Sequence, residues 1–417
     1  MEFRPIPNDS AALARAKAEA FAVMRSAIED SATCSAYVDV AEDIRPDRIG
    51  AIAPLSRGRL ADWGADTRGP NRITTGDVRL VLRSSGSSGT IRTVRHSAAF
   101  NDQVEFLGGR GVAMDGLSRN PLVVNALAAG DMFGGFGFAE AALARRGAGV
   151  LPAGSSMRLD LLAGLLRDEM AEAIVGVPGH LGRLVSQHPE AFDAVRVAYY
   201  LGDRPRPELR RVFQDRKIAL RSFALSTTET GPIGFQCSAL SGDDHHVHED
   251  LVHVEVVGEG GRPQRDGLAG HVLVTPLVDS GLAMLRYQVG DMGVLLGPGC
   301  RCGSVAPVLR LGGRDGTSVN VRGTLITESM VRTSLGMLSD DLQVGVIEGA
   351  EAFRLSLRIT PGARQGLPDV ESAFRTEPTL QKLVLTPGFE GVELAVGGPP
   401  VLDGRGKQPF FFRGGTD

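Results

Sequence analysis

The chain has 417 residues, 42% hydrophobic and 23% charged, with a formal net charge of −4. That length and balance suit a globular protein with a large core and two domains, and the charge leaves no basic footprint for nucleic acid. Four cysteines in so long a chain exclude a disulfide framework, and no apolar run is long enough to span a bilayer.

Residues 10–30 place Ala, Leu and Phe at helical spacing among Arg, Lys and Glu, which predicts an amphipathic surface helix and not a signal peptide. A cytoplasmic location is the default expectation. Residues 78–82 read as a strand, and the next stretch packs four serines, two glycines and a threonine into Ser84, Ser85, Gly86, Ser87, Ser88, Gly89 and Thr90. Such a loop offers bare backbone N–H groups and hydroxyls to a polyphosphate. It is not a Walker A loop, because no Gly-Lys-Ser/Thr follows.

Further along, 158–189 reads as helical, with Pro178-Gly179 breaking it toward its end. The apolar runs 148–151, 195–200 and 218–225 read as buried strands, which makes an α/β pattern. From Val252 the text becomes β-rich, with strands expected at 252–257, 271–276 and 292–296 and Gly-rich turns between them; an antiparallel or barrel-like subdomain is expected. A boundary is expected near Gly312 to Gly316. Beyond it, strands at 343–347, 353–359 and 392–396 and a helix over 370–383 predict a small α+β domain of about a hundred residues.

Three segments follow the serine-rich loop in order: Ser226-Thr227-Thr228-Glu229-Thr230-Gly231-Pro232, Leu285-Arg286-Tyr287-Gln288-Val289-Gly290-Asp291, and Gly313-Arg314-Asp315 running on to Val321-Arg322-Gly323. Gly404-Arg405-Gly406-Lys407 lies near the end. In order and spacing these resemble the adenylate-forming superfamily of acyl-CoA synthetases, most closely its phenylacetate-CoA ligase branch. The resemblance implies an α/β architecture: a large multi-subdomain N-terminal adenylating domain over 1–313, with αβ sheets and a β-subdomain, and a small mobile α+β C-terminal lid over 314–417. The implied activity is ATP-dependent activation of an acid, an aryl carboxylate first of all, as its AMP anhydride, which then passes to CoA. The alternatives are a carrier-protein thiol or an amine as acceptor, or nitrite as the activated acid in diazotisation of an aryl amine. A nucleotide-binding regulator without turnover is opposed by the retained Glu229, Asp291, Arg314 and Lys407. The partners are then small molecules, with no nucleic acid and no membrane, and a homodimer stays open.

Residue by residue, the resemblance gives the 84–90 loop to the triphosphate, Thr228 to phosphate and Glu229 to Mg²⁺, a metal that needs few protein carboxylates. Asp291 takes the ribose hydroxyls, Tyr287 packs near the nucleotide, and Arg314 adds positive charge on the ribose–phosphate side. Lys407 bridges the carboxylate and α-phosphate oxygens in the transition state. Two departures stand out. The family's lysine after the second loop glycine is absent here, where Thr90 and Ile91 precede Arg92, and the acidic hinge pair is replaced by Gly316-Thr317.

A second constellation is Cys237, the histidines His245, His246 and His248 before Glu249-Asp250, and the Cys300-Arg301-Cys302 turn. Three thiolates and one imidazole make a closed tetrahedral zinc site; similarity to the ligase branch around the acidic pair selects His246 as the imidazole, and the zinc would be structural. Cys34 reads as a small core residue. For the acyl pocket the resemblance points to Gly202-Asp203-Arg204-Pro205. Tyr199, Tyr200, Phe133, Phe136 and Phe138 nearby read more readily as core than as pocket lining.

Overall fold

Helix α1 (Ser10–Glu29) turns Leu13, Phe21, Met24 and Ile28 inward, the stripe its spacing predicts. The computed structural model describes residues 5–29, 37, 39–60, 78–83, 93–130, 132, 134–202, 204–205, 207–258, 261–277, 284–314, 318–321, 324–336, 342–348, 352–359, 369–397 and 410–414. The chain forms two compact units: Met1–Glu255 with Leu273–Val289 and Leu296–Leu309, and Val256–Val272 with Gly290–Leu295 and Arg310–Asp417.

In the first unit, β1 (Val78–Arg83) and β2 (Thr93–Ser97) pair antiparallel. Helix α2 (Ala98–Gly111) starts where the Ser97 hydroxyl accepts from the Phe100 N–H at 3.1 Å. A doubly wound segment follows in the order β3 (Leu122–Asn125), α3 (Gly135–Arg145), β4 (Gly149–Leu151), α4 (Leu159–Asp168), β5 (Ala173–Gly176), α5 (Pro178–Gln187), β6 (Val197–Tyr200), α6 (Pro207–Asp215) and β7 (Ala219–Ser222). Its five strands are parallel, in the order β4-β3-β5-β6-β7. Alternate residues face opposite helical layers. Val124, Ile174 and Ala198 pack with Leu162, Leu181 and Phe213, whereas Val123, Val175 and Tyr199 pack with Ala139, Ala142 and Leu143. Both faces are therefore covered, as a parallel sheet requires.

The helical reading of 158–189 needs correction. Helix α4 ends near Met170, which has φ +49, and Ala173–Gly176 is a fully buried strand between two helices. Leucines at helical spacing mask a four-residue strand, since a short apolar run fits either period. Pro178 starts α5 at its first turn and does not break a helix. The single strand read at 218–225 is likewise two, β7 and β8 (Leu225–Thr227), interrupted at the buried Phe223 and Ala224.

Strand β9 (Gly231–Phe235) pairs antiparallel with β8 and with β10 (Asp244–Val247). The β-rich stretch from Val252 comprises β11 (Val252–Val257), β12 (Ala269–Pro276), β13 (Tyr287–Leu296) and β14 (Val308–Arg314).

The second unit holds the hairpin β15 (Ser318–Val321) and β16 (Thr324–Thr327), then α7 (Glu328–Leu335), β17 (Leu342–Glu348), β18 (Phe353–Ile359), α8 (Val370–Thr376), α9 (Pro378–Val384), β19 (Phe389–Val396) and β20 (Phe411–Gly414). Its sheet runs β19-β18-β17-β20, antiparallel only between β17 and β18. Leu355, Leu357, Phe374, Leu380 and Leu383 share its core. The one helix expected over 370–383 is two, because Glu377 caps the Leu380 N–H at 2.7 Å and Pro378 opens a new first turn. Among the described residues, no helix is long and apolar enough to cross a membrane.

Candidate active site and metal centre

Thr228 and Glu229 sit in the turn between β8 and β9. The Thr230 N–H donates to the Thr227 hydroxyl at 3.0 Å, and the two threonine hydroxyls lie 2.9 Å apart. Gly231 closes the turn with φ +66, and a Cβ there would come within 2.6 Å of Val104 Cγ2 on α2. Glycine is required twice over, by backbone sign and by space. Glu229 is only 4% exposed. A carboxylate so far out of water calls for a cation or several donors.

His96 on β2 reaches the same turn, with Nε2 2.9 Å from the Thr228 carbonyl oxygen. A carbonyl can only accept, so Nε2 carries the proton and Nδ1 is bare. Burial holds this imidazole below its ordinary value of 6.5, against the opposing pull of Thr228 and Glu229. The ring packs edge-on against Phe100 at 4.7 Å. The sequence reading missed His96; its signal was a histidine just before the serine that caps a helix.

Tyr287 and Asp291 lie on one strand, β13. Tyr287 is almost fully buried, whereas Asp291 is half-buried and follows Gly290, whose φ of +85 breaks the strand's alternation. Arg286, part of the Leu285–Asp291 motif but given no role there by the resemblance, enters β13 in a left-handed conformation (φ +51) and is wholly buried. Its guanidinium donates to both oxygens of Glu255, at 2.9 and 3.0 Å, and to the carbonyls of Gly50 and Ile52. Leu55 exchanges backbone hydrogen bonds with Arg286 and Gln288 on either side of Tyr287. Arg314 ends β14, where only its backbone is described. Ser84, Ser85, Gly86, Ser87, Ser88, Gly89, Thr90 and Lys407 lie outside the described residues, as do Cys34, Arg92, Phe133, Asp203, Gly316 and Thr317.

Of the aromatics expected near the acyl pocket, Tyr199 and Tyr200 are core residues, and Phe136 and Phe138 are partly buried against the core. The Tyr199 hydroxyl donates to the Ala113 carbonyl at 2.6 Å and the Tyr200 hydroxyl to Gly242 at 3.0 Å, while Phe138 and Tyr199 both meet Phe223 edge-on. In an open sheet of this order, ligands bind where the winding reverses, outside the carboxyl ends of β3 and β5. Asn125 ends β3 there, its amide donating to the Phe136 carbonyl at 3.1 Å and accepting from the Leu127 N–H at 3.3 Å.

Cys237, His246, Cys300 and Cys302 converge, with all four ligand atoms within 4.8 Å of one another. Antiparallel pairing sets His246 opposite Phe235, two residues before Cys237, and Gly303 closes the Cys300 turn with φ +81. The Cys237 and Cys300 sulfurs are 3.6 Å apart, close to the edge of about 3.8 Å of a tetrahedron with ~2.3 Å zinc–sulfur bonds. His246 Nδ1 lies 3.2 Å from the Ala306 carbonyl; the proton must therefore sit on Nδ1, leaving Nε2 as a lone-pair donor 3.2 Å from Cys302 Sγ. That is the tautomer and outer-shell support of a histidine ligand. Burial pushes the Cys237 thiol up to about 12, so a thiolate there needs a neighbouring cation. The donor set fits zinc. His245 and His248 lie nearby but do not join: His245 Nδ1 contacts the Asp243 carbonyl at 3.1 Å, and Arg110 donates to His248 Nδ1 at 3.0 Å while clasping Asp250.

No protein-family model matches the chain. Phenylacetate-coenzyme A ligase of Escherichia coli (strain K12) is 25% identical over 268 residues, which span 62% of this chain and 60% of that relative's length. Crystal structures of 2-hydroxyisobutyryl-CoA ligase share the fold. The postadenylation state in complex with 2-HIB-AMP has a TM-score of 0.67 at 17% identity, covering 99% of this chain and 91% of that one. An open conformation with 2-HIB-AMP and CoA has a TM-score of 0.68 at 15% identity, covering 96% and 88%. The chain thus shares the α/β fold of 2-hydroxyisobutyryl-CoA ligase and is similar in sequence to phenylacetate-coenzyme A ligase.

Proposed function

We propose that this protein is an AMP-forming acid–thiol ligase that activates an aryl carboxylate with ATP and passes the acyl group to CoA. The observation that carries this reading is the similarity to phenylacetate-CoA ligase, on a chain with an acyl-CoA ligase fold. The buried Glu229 in its tightly braced turn supports it.

In the first half-reaction a substrate carboxylate oxygen attacks the α-phosphorus, and the bond to the β-phosphate oxygen breaks as pyrophosphate leaves. The Ser84–Thr90 hydroxyls and backbone N–H groups hold the triphosphate. Glu229 holds Mg²⁺, which when bound supplies charge neutralisation on the phosphates, and Thr228 contacts phosphate. Asp291 accepts from both ribose hydroxyls, Tyr287 packs near the nucleotide, and Arg314 adds positive charge at the ribose–phosphate side. Lys407, on a lid formed by residues 314–417, stabilises charge that builds as pyrophosphate departs. In the second half-reaction the CoA thiolate attacks the acyl carbon and AMP leaves. A zinc ion bound by Cys237, His246, Cys300 and Cys302 would supply folding energy, and no chemical step is assigned to it.

The test is AMP and pyrophosphate release with ATP and Mg²⁺ against aryl acids, fatty acids and nitrite, with and without CoA. Aryl-acid-dependent AMP release with a thioester product is expected. AMP release that needs nitrite and an aryl amine would replace both the acid and the acceptor, whereas release that needs a carrier-protein thiol in place of CoA would replace the acceptor alone. No AMP with any acid would overturn the reading.

A further inference from the structure

Strand β2 and the Thr228–Glu229 turn are remote in sequence, yet one side chain joins them. His96 is 3% exposed and donates from Nε2 to the Thr228 carbonyl at 2.9 Å. Its Nδ1 has no hydrogen-bond partner among the described residues, so a buried polar ring is held there for one hydrogen bond. The surroundings make that bond decisive. Phe100 blocks the ring edge-on at 4.7 Å, and Ser97 starts α2 one residue later. The same helix presents Val104 to Gly231 at the far end of the turn, where a Cβ would clash. The turn is thus gripped at both ends from one strand–helix corner: at Thr228 by a hydrogen bond and at Gly231 by packing. Between the two grips sits the buried Glu229.

We propose that His96 is a positioning residue for the magnesium-binding carboxylate: its Nε2–H fixes the Thr228 peptide and so aims Glu229. The inference rests on the adenylation reading for the identity of the cation, and on this chain's geometry for the role of the histidine. A carboxylate on a loose turn still binds a divalent ion, but it must give up the freedom of the turn to do so. Removing the donor therefore weakens metal use before it weakens the fold.

Two variants separate positioning from packing. His96→Leu keeps the apolar contact with Phe100 and lacks a donor, whereas His96→Gln carries an amide N–H that can reach the Thr228 carbonyl. Each is compared with wild type in Mg²⁺ titrations of pyrophosphate release, in Mn²⁺ binding to the protein read by electron paramagnetic resonance, and in thermal melting. In His96→Leu the Mg²⁺ and Mn²⁺ half-saturation points should rise about tenfold, the scale of one lost hydrogen bond. His96→Gln should return them to within about threefold. Wild-type metal dependence in a folded His96→Leu protein overturns the proposal. So does equal impairment of both variants, which would make the ring a packing element; if His96→Leu does not fold, failure of His96→Gln to restore wild-type metal dependence has the same force. Should wild-type protein adenylate no acid at all, the adenylation reading fails, and the Mn²⁺ comparison still decides the role of His96.

Discussion

Arg286 and Glu255 form a bidentate ion pair inside the protein, with Nε to Oε2 at 2.9 Å and Nη2 to Oε1 at 3.0 Å. The pair sits at the root of the strand that carries Tyr287 and Asp291, and Arg286 also ties the Gly50 and Ile52 carbonyls to it. Removing one partner strands the other charge out of water, a loss of roughly 3–5 kcal/mol. Glu255→Gln should show this as a lower urea midpoint. Glu255→Leu combined with Arg286→Met should recover part of the loss, because neither buried charge then remains.

Asp291→Ala and Glu229→Gln should each impair ATP use and leave circular dichroism and melting near wild type. Both are single polar changes outside the hydrophobic clusters. Wild-type turnover in either variant would remove the nucleotide or magnesium role from that residue.

Freshly prepared protein should carry about one zinc per chain by elemental analysis, as a closed four-ligand site requires. Cys302→Ser should lower that ratio and the melting temperature together, by about 1–2 °C for each kcal/mol of folding energy lost. Zinc-free protein with full stability would dismiss the site.

His253 is buried against Phe21, ring centroids 5.4 Å apart, and burial holds it well below its ordinary 6.5, with Lys17 and Arg286 adding to the effect. The folded state therefore refuses a proton that the unfolded chain takes up once the pH drops below 6.5. Stability should fall with decreasing pH from that point, by about 1.4 kcal/mol per pH unit for this group. His253→Phe should flatten the acid limb of urea midpoints measured between about pH 5 and about pH 8; an unchanged slope would assign the proton uptake elsewhere.

Lys407→Ala should lower adenylate formation by ~10²-fold or more, the scale of losing one preorganised electrostatic donor, with little change in ATP affinity. A synthetic acyl-adenylate should bypass the defect, since thioester formation does not use that charge. Equal failure with ATP and with preformed adenylate would make the lysine structural.

Local chemistry was legible in the sequence wherever a residue type can do only one thing. Three thiols and an imidazole have few uses together; residue types left three histidines open, the resemblance selected His246, and Cys237, His246, Cys300 and Cys302 do converge. Alternating apolar runs such as Phe353–Ile359 and Val252–Val257 are strands with the bounds their pattern predicts. Where one pattern serves two structures, only tertiary contacts decided. Ala173–Gly176 has no period of its own and became a strand because Val123–Asn125 and Val197–Tyr200 offered it hydrogen bonds on both sides. The roles of His96 and Arg286 were invisible for a related reason. His96 matches no motif, and Arg286 stands in the Leu285–Asp291 motif without a role of its own; each gains its meaning from a partner distant in the chain: the Thr228 carbonyl for His96, and Glu255 with the Gly50 and Ile52 carbonyls for Arg286. A sequence records which side chains can donate a hydrogen bond. Burial, which only the folded chain creates, determines which of those bonds water cannot replace.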